Sequence, residues 1–177
     1  DIGFVLDASG SVRANRFKMC LNFINKLVNS FHIGPHNTRI GIVRYSTRPS
    51  GIFRFTSYRN KHSTKHRVNR IRYTGGWTRT GAAINYARRY LYQHNRRRGV
   101  RKVLIVMTDG KSQDSVVGAS RSVKRMGIEV FAIGIGRGYR RSELNQMATD
   151  RNHVLTARFR DLHKIIGKIK YRACKGK

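Results

Sequence analysis

Three oxygen-bearing side chains alternate near the start of this sequence. Asp7, Ser9 and Ser11 follow the apolar run 2–6, so an extended loop can point all three the same way. Any one of them alone could instead cap a following helix, because Asp and Ser side chains accept hydrogen bonds from backbone N–H groups there. Together they form part of an oxygen-only ligand set, which suits a hard cation.

Two further polar segments extend that set. Asp109 follows a second apolar run, 103–107, and Thr78 stands in the loop 75–81 (GGWTRTG). Ligands in an open α/β sheet bind at the carboxyl ends of the strands, so we expect these segments to meet. With only two carboxylates, a bound ion would keep several waters, as Mg²⁺ prefers, with Mn²⁺ and Ca²⁺ as alternatives. The pattern predicts one divalent cation with a coordination position open to a carboxylate from a partner.

Apolar runs and segments of helical periodicity alternate along the chain, and together they indicate how these loops are positioned. We expect strands at 2–6, 39–46, 51–55, 103–107, 128–134 and 153–155, and helices from 15 to about 31 and at 64–71, 81–94, 115–126, 141–149 and 161–171. This order predicts a doubly wound, Rossmann-like α/β fold. Its six-stranded sheet is mostly parallel, with one antiparallel edge strand and helices on both faces. We find no repeat and no linker, so 1–177 is expected to be a single domain with a basic tail from about 172.

These motifs resemble those of the von Willebrand factor A domain. The segments DIGFVLDASGSV, GGWTRTGAAI, VMTDGKSQD and VFAIGIG occur in the order and spacing of that family, from residue 1 to about 171. The sequence is most similar to extracellular-matrix members such as fibril-associated collagens, matrilins and cochlin-like proteins. The resemblance implies a metal-ion-dependent adhesion site, or MIDAS, formed by Asp7, Ser9, Ser11, Thr78 and Asp109.

The resemblance also implies an adhesion domain and not an enzyme. We expect a secreted protein of the extracellular matrix that uses the cation to bind an acidic group on a matrix protein such as collagen. Arg13, Arg79 and Lys111 adjoin the site in sequence and form an expected ligand rim. Positive charges near a cation site weaken its metal affinity and favour acidic ligands.

Positive charge dominates the composition. Lys and Arg total 38 against 8 Asp and Glu, which gives a formal net charge of +30. Such a charge predicts polyanionic partners, although any single cluster is also consistent with a solvated face. The alternative function is therefore binding of a heparin-like glycosaminoglycan or acidic matrix component. The expected patch comprises Arg88, Arg89, Arg96, Arg97, Arg98, Arg101 and Lys102.

Other functional classes find little support. The segment 134–138 (GIGRG) lacks the Gly-x-Gly-x-x-Gly spacing of dinucleotide sites, and His62 and His66 lack a third zinc ligand. Nucleic-acid binding is not favoured, because charge is the only feature that supports it. No apolar run reaches the roughly 18 residues of a transmembrane helix. The chain begins directly at Asp1, as we expect of an excised or mature domain, and the pairing of Cys20 with Cys174 is left open.

Overall fold

A computed structural model describes residues 1–93 and 97–174. The strands are β1 (Ile2–Asp7), β2 (Ile40–Tyr45), β3 (Pro49–Phe53), β4 (Val103–Thr108), β5 (Glu129–Ile135) and β6 (Val154–Ala157). The α-helices are α1 (Ala14–Asn29), α2 (Lys61–Asn69), α3 (Thr80–Ala87), α4 (Val117–Arg125), α5 (Arg141–Met147) and α6 (Ile166–Cys174). A π-helical turn (Arg88–Gln93) follows α3, and 3₁₀ turns (Arg151–His153 and Phe159–Ile165) flank β6.

The strands form one sheet in the order β3-β2-β1-β4-β5-β6. Only β3 runs antiparallel to its neighbour, at the edge of the sheet. The predicted fold class is therefore confirmed. Strands β2 and β3 lie on one side of β1, and the later strands β4, β5 and β6 lie on its other side. The carboxyl ends of β1 and β4 therefore meet at the switch point, where open α/β sheets bind ligands.

Both central strands are buried along their whole length because helices cover both faces of the sheet. Phe4 and Leu6 of β1 face one core, which α1 and α6 close with side chains such as Ile24 and Ile169. Val5 faces the opposite core, which α3, α4 and α5 close. The strand ends that carry the polar loops are thus held by packing on two sides.

The helix expected at 81–94 changes character after Ala87. The structure has α3 and then the π-helical turn, and residue 94 lies outside the described range. The wider turn accompanies the burial of both Leu91 and Tyr92. The Tyr92 hydroxyl donates to the Val103 carbonyl at 2.5 Å and accepts from the Gly3 N–H at 3.0 Å. Gly3 is required there, because a Cβ would lie 2.5 Å from the Tyr92 oxygen.

Other element boundaries also differ from expectation for local reasons. Helix α2 begins at Lys61 instead of 64, because the Asn60 side chain accepts a hydrogen bond from the Ser63 N–H at 2.8 Å and caps it. Strand β3 begins at Pro49, which an edge strand tolerates. The segment expected as one helix at 161–171 is a 3₁₀ turn from Phe159 followed by α6, which continues to Cys174.

The two cysteines are both free in the structure. Cys20 lies buried in α1, whereas Cys174 lies exposed at the end of α6. Across the described residues, no helix has the length and apolar character that crossing a bilayer requires.

Candidate metal site

Asp7 is the last residue of β1 and is almost fully buried, with 2% of its surface exposed. Its Oδ1 accepts a hydrogen bond from the Ser9 N–H at 2.9 Å. Its Oδ2 accepts one from the Thr108 hydroxyl, at the end of β4, at 2.8 Å. These two bonds fix the orientation of the Asp7 carboxyl at the switch point.

The first and third polar segments meet directly. The hydroxyl oxygens of Ser9 and Ser11 lie 3.2 Å apart. The Ser11 hydroxyl donates to Asp109 Oδ1 at 2.6 Å, although 98 residues separate them in sequence. The loop after β1 and the loop after β4 therefore bring their oxygen atoms into one cluster, as expected.

Thr78 joins this cluster from the second loop. A Cβ placed on Gly110 would lie 3.5 Å from the Ser11 hydroxyl oxygen and 3.8 Å from that of Thr78. Both hydroxyls therefore border the same small space beside Gly110. The fold thus brings all five predicted ligand residues together at the carboxyl ends of the central strands β1 and β4.

A series of hydrogen bonds holds the Thr78 loop against the chain after Asp109. The Thr78 N–H donates to the Gln113 side-chain carbonyl at 2.7 Å, and the Gln113 N–H donates to the Thr78 carbonyl at 2.9 Å. The Thr80 N–H donates to the Ser112 hydroxyl at 3.1 Å. These bonds set the position of Thr78 relative to Asp109.

Asp114 completes that connection by capping α3. Its Oδ1 accepts from the Gly81 N–H and its Oδ2 from the Ala82 N–H, both at 2.8 Å. The chains approach so closely that a Cβ on Gly81 would lie 2.1 Å from the Ser115 carbonyl oxygen. Gly81 is therefore required by packing.

Sequence reasoning assigned no role to Ser112, Gln113 or Asp114. Their partners lie 32 to 35 residues away, so only the folded chain shows the contacts. The available signal was the polar triplet SQD directly after TDGK, which has the Ser and Asp side chains that cap helices. Thr108, which binds Asp7, was also missed.

Burial raises the pKa of both site carboxyls. For Asp7, loss of hydration dominates, and the hydrogen bonds from Ser9 and Thr108 partly oppose it. For Asp109, burial again leads; the hydrogen bond from Ser11 opposes it and the charge of Asp7 adds to it. Two acidic groups that are costly to ionise lie next to each other, and a cation between them would offset that cost.

The predicted rim residues Arg13, Arg79 and Lys111 are all exposed. Arg13 has a φ of 64°, the one non-glycine residue of the described chain in the left-handed region. The Arg79 side chain lies 4.0 Å from Asp114 and so points partly toward the α3 cap. Trp77, with 67% of its surface exposed, precedes Thr78 in the same loop, and its backbone N–H donates to the Thr47 hydroxyl at 3.1 Å.

The expected basic patch is only partly available. Arg97 pairs with the buried Asp1 carboxylate and also donates to the Pro35 and Asn37 carbonyls. Arg101 binds both carboxylate oxygens of Glu129, at 3.0 and 2.9 Å. Of the remaining predicted members, Arg89 and Arg98 are exposed, Arg88 and Lys102 are half-buried, and Arg96 lies outside the described residues.

The donor chemistry fits a hard divalent cation. The cluster offers carboxylate and hydroxyl oxygens only, the ligands that Mg²⁺ and Mn²⁺ accept. In the part of the chain that the structure describes, no three His, Cys, Asp or Glu side chains gather as a metal-binding group. Serine and threonine hydroxyls would therefore have to supply part of the coordination.

The chain belongs to the von Willebrand factor type A domain family, whose model matches residues 1–168. It is 32% identical to chicken (Gallus gallus) matrilin-1 over 179 residues, and 34% identical to human (Homo sapiens) vitrin over 177 residues. Both comparisons cover 98% of this chain but only 36% and 26% of those proteins, so the chain spans about a third or less of their length. Matrilin-1 and vitrin are proteins of the extracellular matrix.

A solved structure of similar fold comes from a byssal protein of mussels. Proximal thread matrix protein 1, determined with a zinc-occupied MIDAS motif, superimposes with a TM-score of 0.92 at 31% sequence identity. The superposition covers 98% of this chain and 45% of the mussel chain. The predicted family and its matrix-type relatives are therefore confirmed.

Proposed function

We propose that this chain, over residues 1–177, is an extracellular adhesion domain, not an enzyme, that binds an acidic group of a matrix protein such as collagen through one divalent cation. The convergence of three loops carries the proposal, above all the 2.6 Å contact between Ser11 and Asp109. The matrix relatives and the zinc-occupied MIDAS of the mussel protein support it. Mg²⁺ is the proposed physiological ion, since the oxygen-only donors suit it.

In this proposal the cation is held by the hydroxyls of Ser9, Ser11 and Thr78, with Asp7 and Asp109 close by. A bound ion supplies an electrophilic position that a ligand carboxylate can fill. The protein contributes orientation: Thr108 holds Asp7, and Gln113 holds the backbone of Thr78. The exposed rim arginines supply attraction for an acidic partner, which raises the association rate.

Calorimetric titration of the metal-free protein with Mg²⁺ and Mn²⁺ tests the site directly. We expect one ion per chain, and we expect Asp109→Asn to weaken binding by roughly tenfold or more. Asp150→Asn is the matched control, because Asp150 is exposed and caps the 3₁₀ turn before β6. Equal binding by Asp109→Asn and wild type would contradict the proposed site.

Adhesion is then measured on immobilised collagen at physiological salt, in Mg²⁺ and in EDTA. Loss of binding in EDTA and in Asp109→Asn, with binding retained in Asp150→Asn, is the expected result. Adhesion that persists in EDTA would move the function away from the cation.

The net charge of +30 favours a second candidate, binding of a sulfated polysaccharide through the basic surface. Arg89 and Arg98 are the exposed arginines that would contribute most from the predicted patch. This function predicts a steep fall in heparin affinity as salt increases, because bound counterions are released. Double substitution of Arg89 and Arg98 by Gln should reduce heparin binding but leave Mg²⁺ binding unchanged; unaltered heparin affinity would contradict it.

A further inference from the structure

A cleft of about 600 Å³ opens beside the candidate metal site. Ser11 and Asp109 line one end of it, and it runs between α1 and the 3₁₀ turn that begins at Phe159. A second cavity of about 180 Å³ continues from it along α1, past Met19 and Phe159. Pockets of this size hold ligands of several functional groups.

The floor of the cleft is apolar. Met19, Ile135 and Phe159 line it, and Met19 is one of the few large apolar side chains with substantial exposure, at 40%. Gly136 has a φ of 77°, and a Cβ there would lie 3.5 Å from the Phe159 ring. Residues 135–138, from the glycine segment that has no dinucleotide spacing, thus line the cleft beside the Phe159 ring.

Four arginines surround this apolar floor: Arg16, Arg137, Arg158 and Arg160. Arg158 is partly neutralised, because its Nε lies 2.6 Å from Asp161 Oδ2. The guanidinium of Arg16 lies 5.2 Å from the centre of the Phe159 ring. Within the described chain, no carboxylate lies within ion-pair distance of Arg137, which is therefore available to an anion. Arg16 also has no carboxylate at that distance, but its charge acts on Asp109, so it contributes less than Arg137.

An apolar floor beneath unpaired guanidinium groups is complementary to a side chain with an aromatic body and an anionic tip. Guanidinium forks match the oxygen geometry of sulfate and phosphate esters, and Met and Phe side chains pack well on aromatic rings. The number of negative charges distinguishes these two esters. Four arginines against two carboxylates, Asp109 and Asp161, leave the cleft positive, so it attracts both esters. Bringing the anion beside the apolar floor costs hydration, and this cost is smaller for a sulfate with one charge than for a phosphate with nearly two.

We propose that the cleft binds a sulfated tyrosine side chain of a partner protein, with the ring on Met19 and Phe159 and the sulfate at Arg16 and Arg137. This inference goes beyond metal-dependent adhesion and does not depend on it. The ring would be buried on apolar surface while the sulfate stays at the wet rim. No ligand carboxylate is needed.

The probe is the peptide acetyl-Gly-Tyr(SO₃⁻)-Gly-amide, compared by calorimetry with its tyrosine and phosphotyrosine counterparts in EDTA at physiological salt. We expect the sulfated peptide to bind at least about tenfold more tightly than the tyrosine peptide, and more tightly than the phosphotyrosine peptide. Because the probe has no carboxylate and metal is removed, failure of the metal site would not alter this result.

Single variants locate the binding. Arg137→Gln should weaken the sulfated peptide about tenfold, and Met19→Ser several-fold, because each removes one contact from an otherwise exposed position. Arg121→Gln, on the exposed face of α4, is the matched control and should change affinity less than about twofold. The proposal would be overturned if Arg121→Gln weakened binding as much as Arg137→Gln does. It would also be overturned if the unsulfated peptide bound as tightly as the sulfated one, or if the phosphotyrosine peptide bound more tightly.

Discussion

Removal of the Asp114 carboxylate should both destabilise the domain and loosen its candidate metal site. Asp114 accepts hydrogen bonds from the Gly81 and Ala82 N–H groups at the start of α3, and its side chain is only 20% exposed. A hydrogen bond to a charged group contributes about 1.5–3 kcal/mol, and the field at a helix N-terminus adds several tenths. Because both bonds share one carboxylate, we take about 3 kcal/mol for Asp114→Ala.

In a domain of this size, about 3 kcal/mol corresponds to a fall of roughly 6–12 °C in Tm. Asp114→Asn keeps one acceptor oxygen and should lose about half as much. Thermal unfolding in EDTA, followed by circular dichroism, measures both variants without any contribution from metal. Titration with Mg²⁺ should then show affinity reduced by roughly tenfold or more, because Thr78 is no longer held against Asp109.

Arg79→Gln is the control, since the Arg79 side chain is 53% exposed and lies 4.0 Å from Asp114. An exposed pair of this kind contributes about 0–1 kcal/mol, so its Tm should stay close to that of wild type. If Arg79→Gln were as unstable as Asp114→Ala, the ion pair and not the helix cap would be the source of stability. A wild-type Tm for Asp114→Ala would refute the reasoning outright.

Three other perturbations have defined outcomes. Burial raises the pKa of Asp7 in the folded state, so the metal-free protein should lose stability as pH rises above the unfolded pKa of 3.8. In EDTA at pH 7, Asp7→Asn should therefore have a higher Tm than wild type, and added Mg²⁺ should not change it. A lower Tm for Asp7→Asn would contradict this. Tyr92→Phe should cost about 1–3 kcal/mol in urea unfolding, because it leaves the Gly3 N–H without that acceptor; a change below about 0.5 kcal/mol would show that the bond is dispensable. Burial also raises the pKa of the Cys20 thiol, so a thiol reagent should modify Cys174 alone in the native chain and both cysteines in denaturant; two fast thiols would contradict the packing of α1.

The sheet and the convergence of the polar loops could be predicted because both depend on short-range patterns. The apolar runs of β1 and β4 identify strands covered on both faces, and the switch-point rule then places Asp7 and Asp109 together. No side-chain detail is needed for either step. The five predicted residues of the candidate site follow from these patterns and from the family motif.

The supporting contacts could not be predicted, because their partners are distant in sequence. The bonds of Asp114 to the start of α3 depend on how two loops approach one another. The π-helical turn carries Tyr92, whose contact with Gly3 joins residues 89 apart in sequence. For the same reason, sequence alone could not show that Arg101, one of the arginines expected to bind polyanions, forms an ion pair with Glu129.

The fluorescence of Trp77 can report ligand binding without an added label. Trp77 is the single tryptophan of the chain, and its indole stands largely in solvent beside the candidate site while its backbone N–H is tied to Thr47. A macromolecule docking over the loops would remove water from that ring and shift its emission toward shorter wavelengths. Unfolding would change the emission wavelength little, because the indole ring is already exposed to solvent in the folded chain. Intrinsic fluorescence should therefore follow ligand occupancy without a label, whereas stability is better followed by circular dichroism.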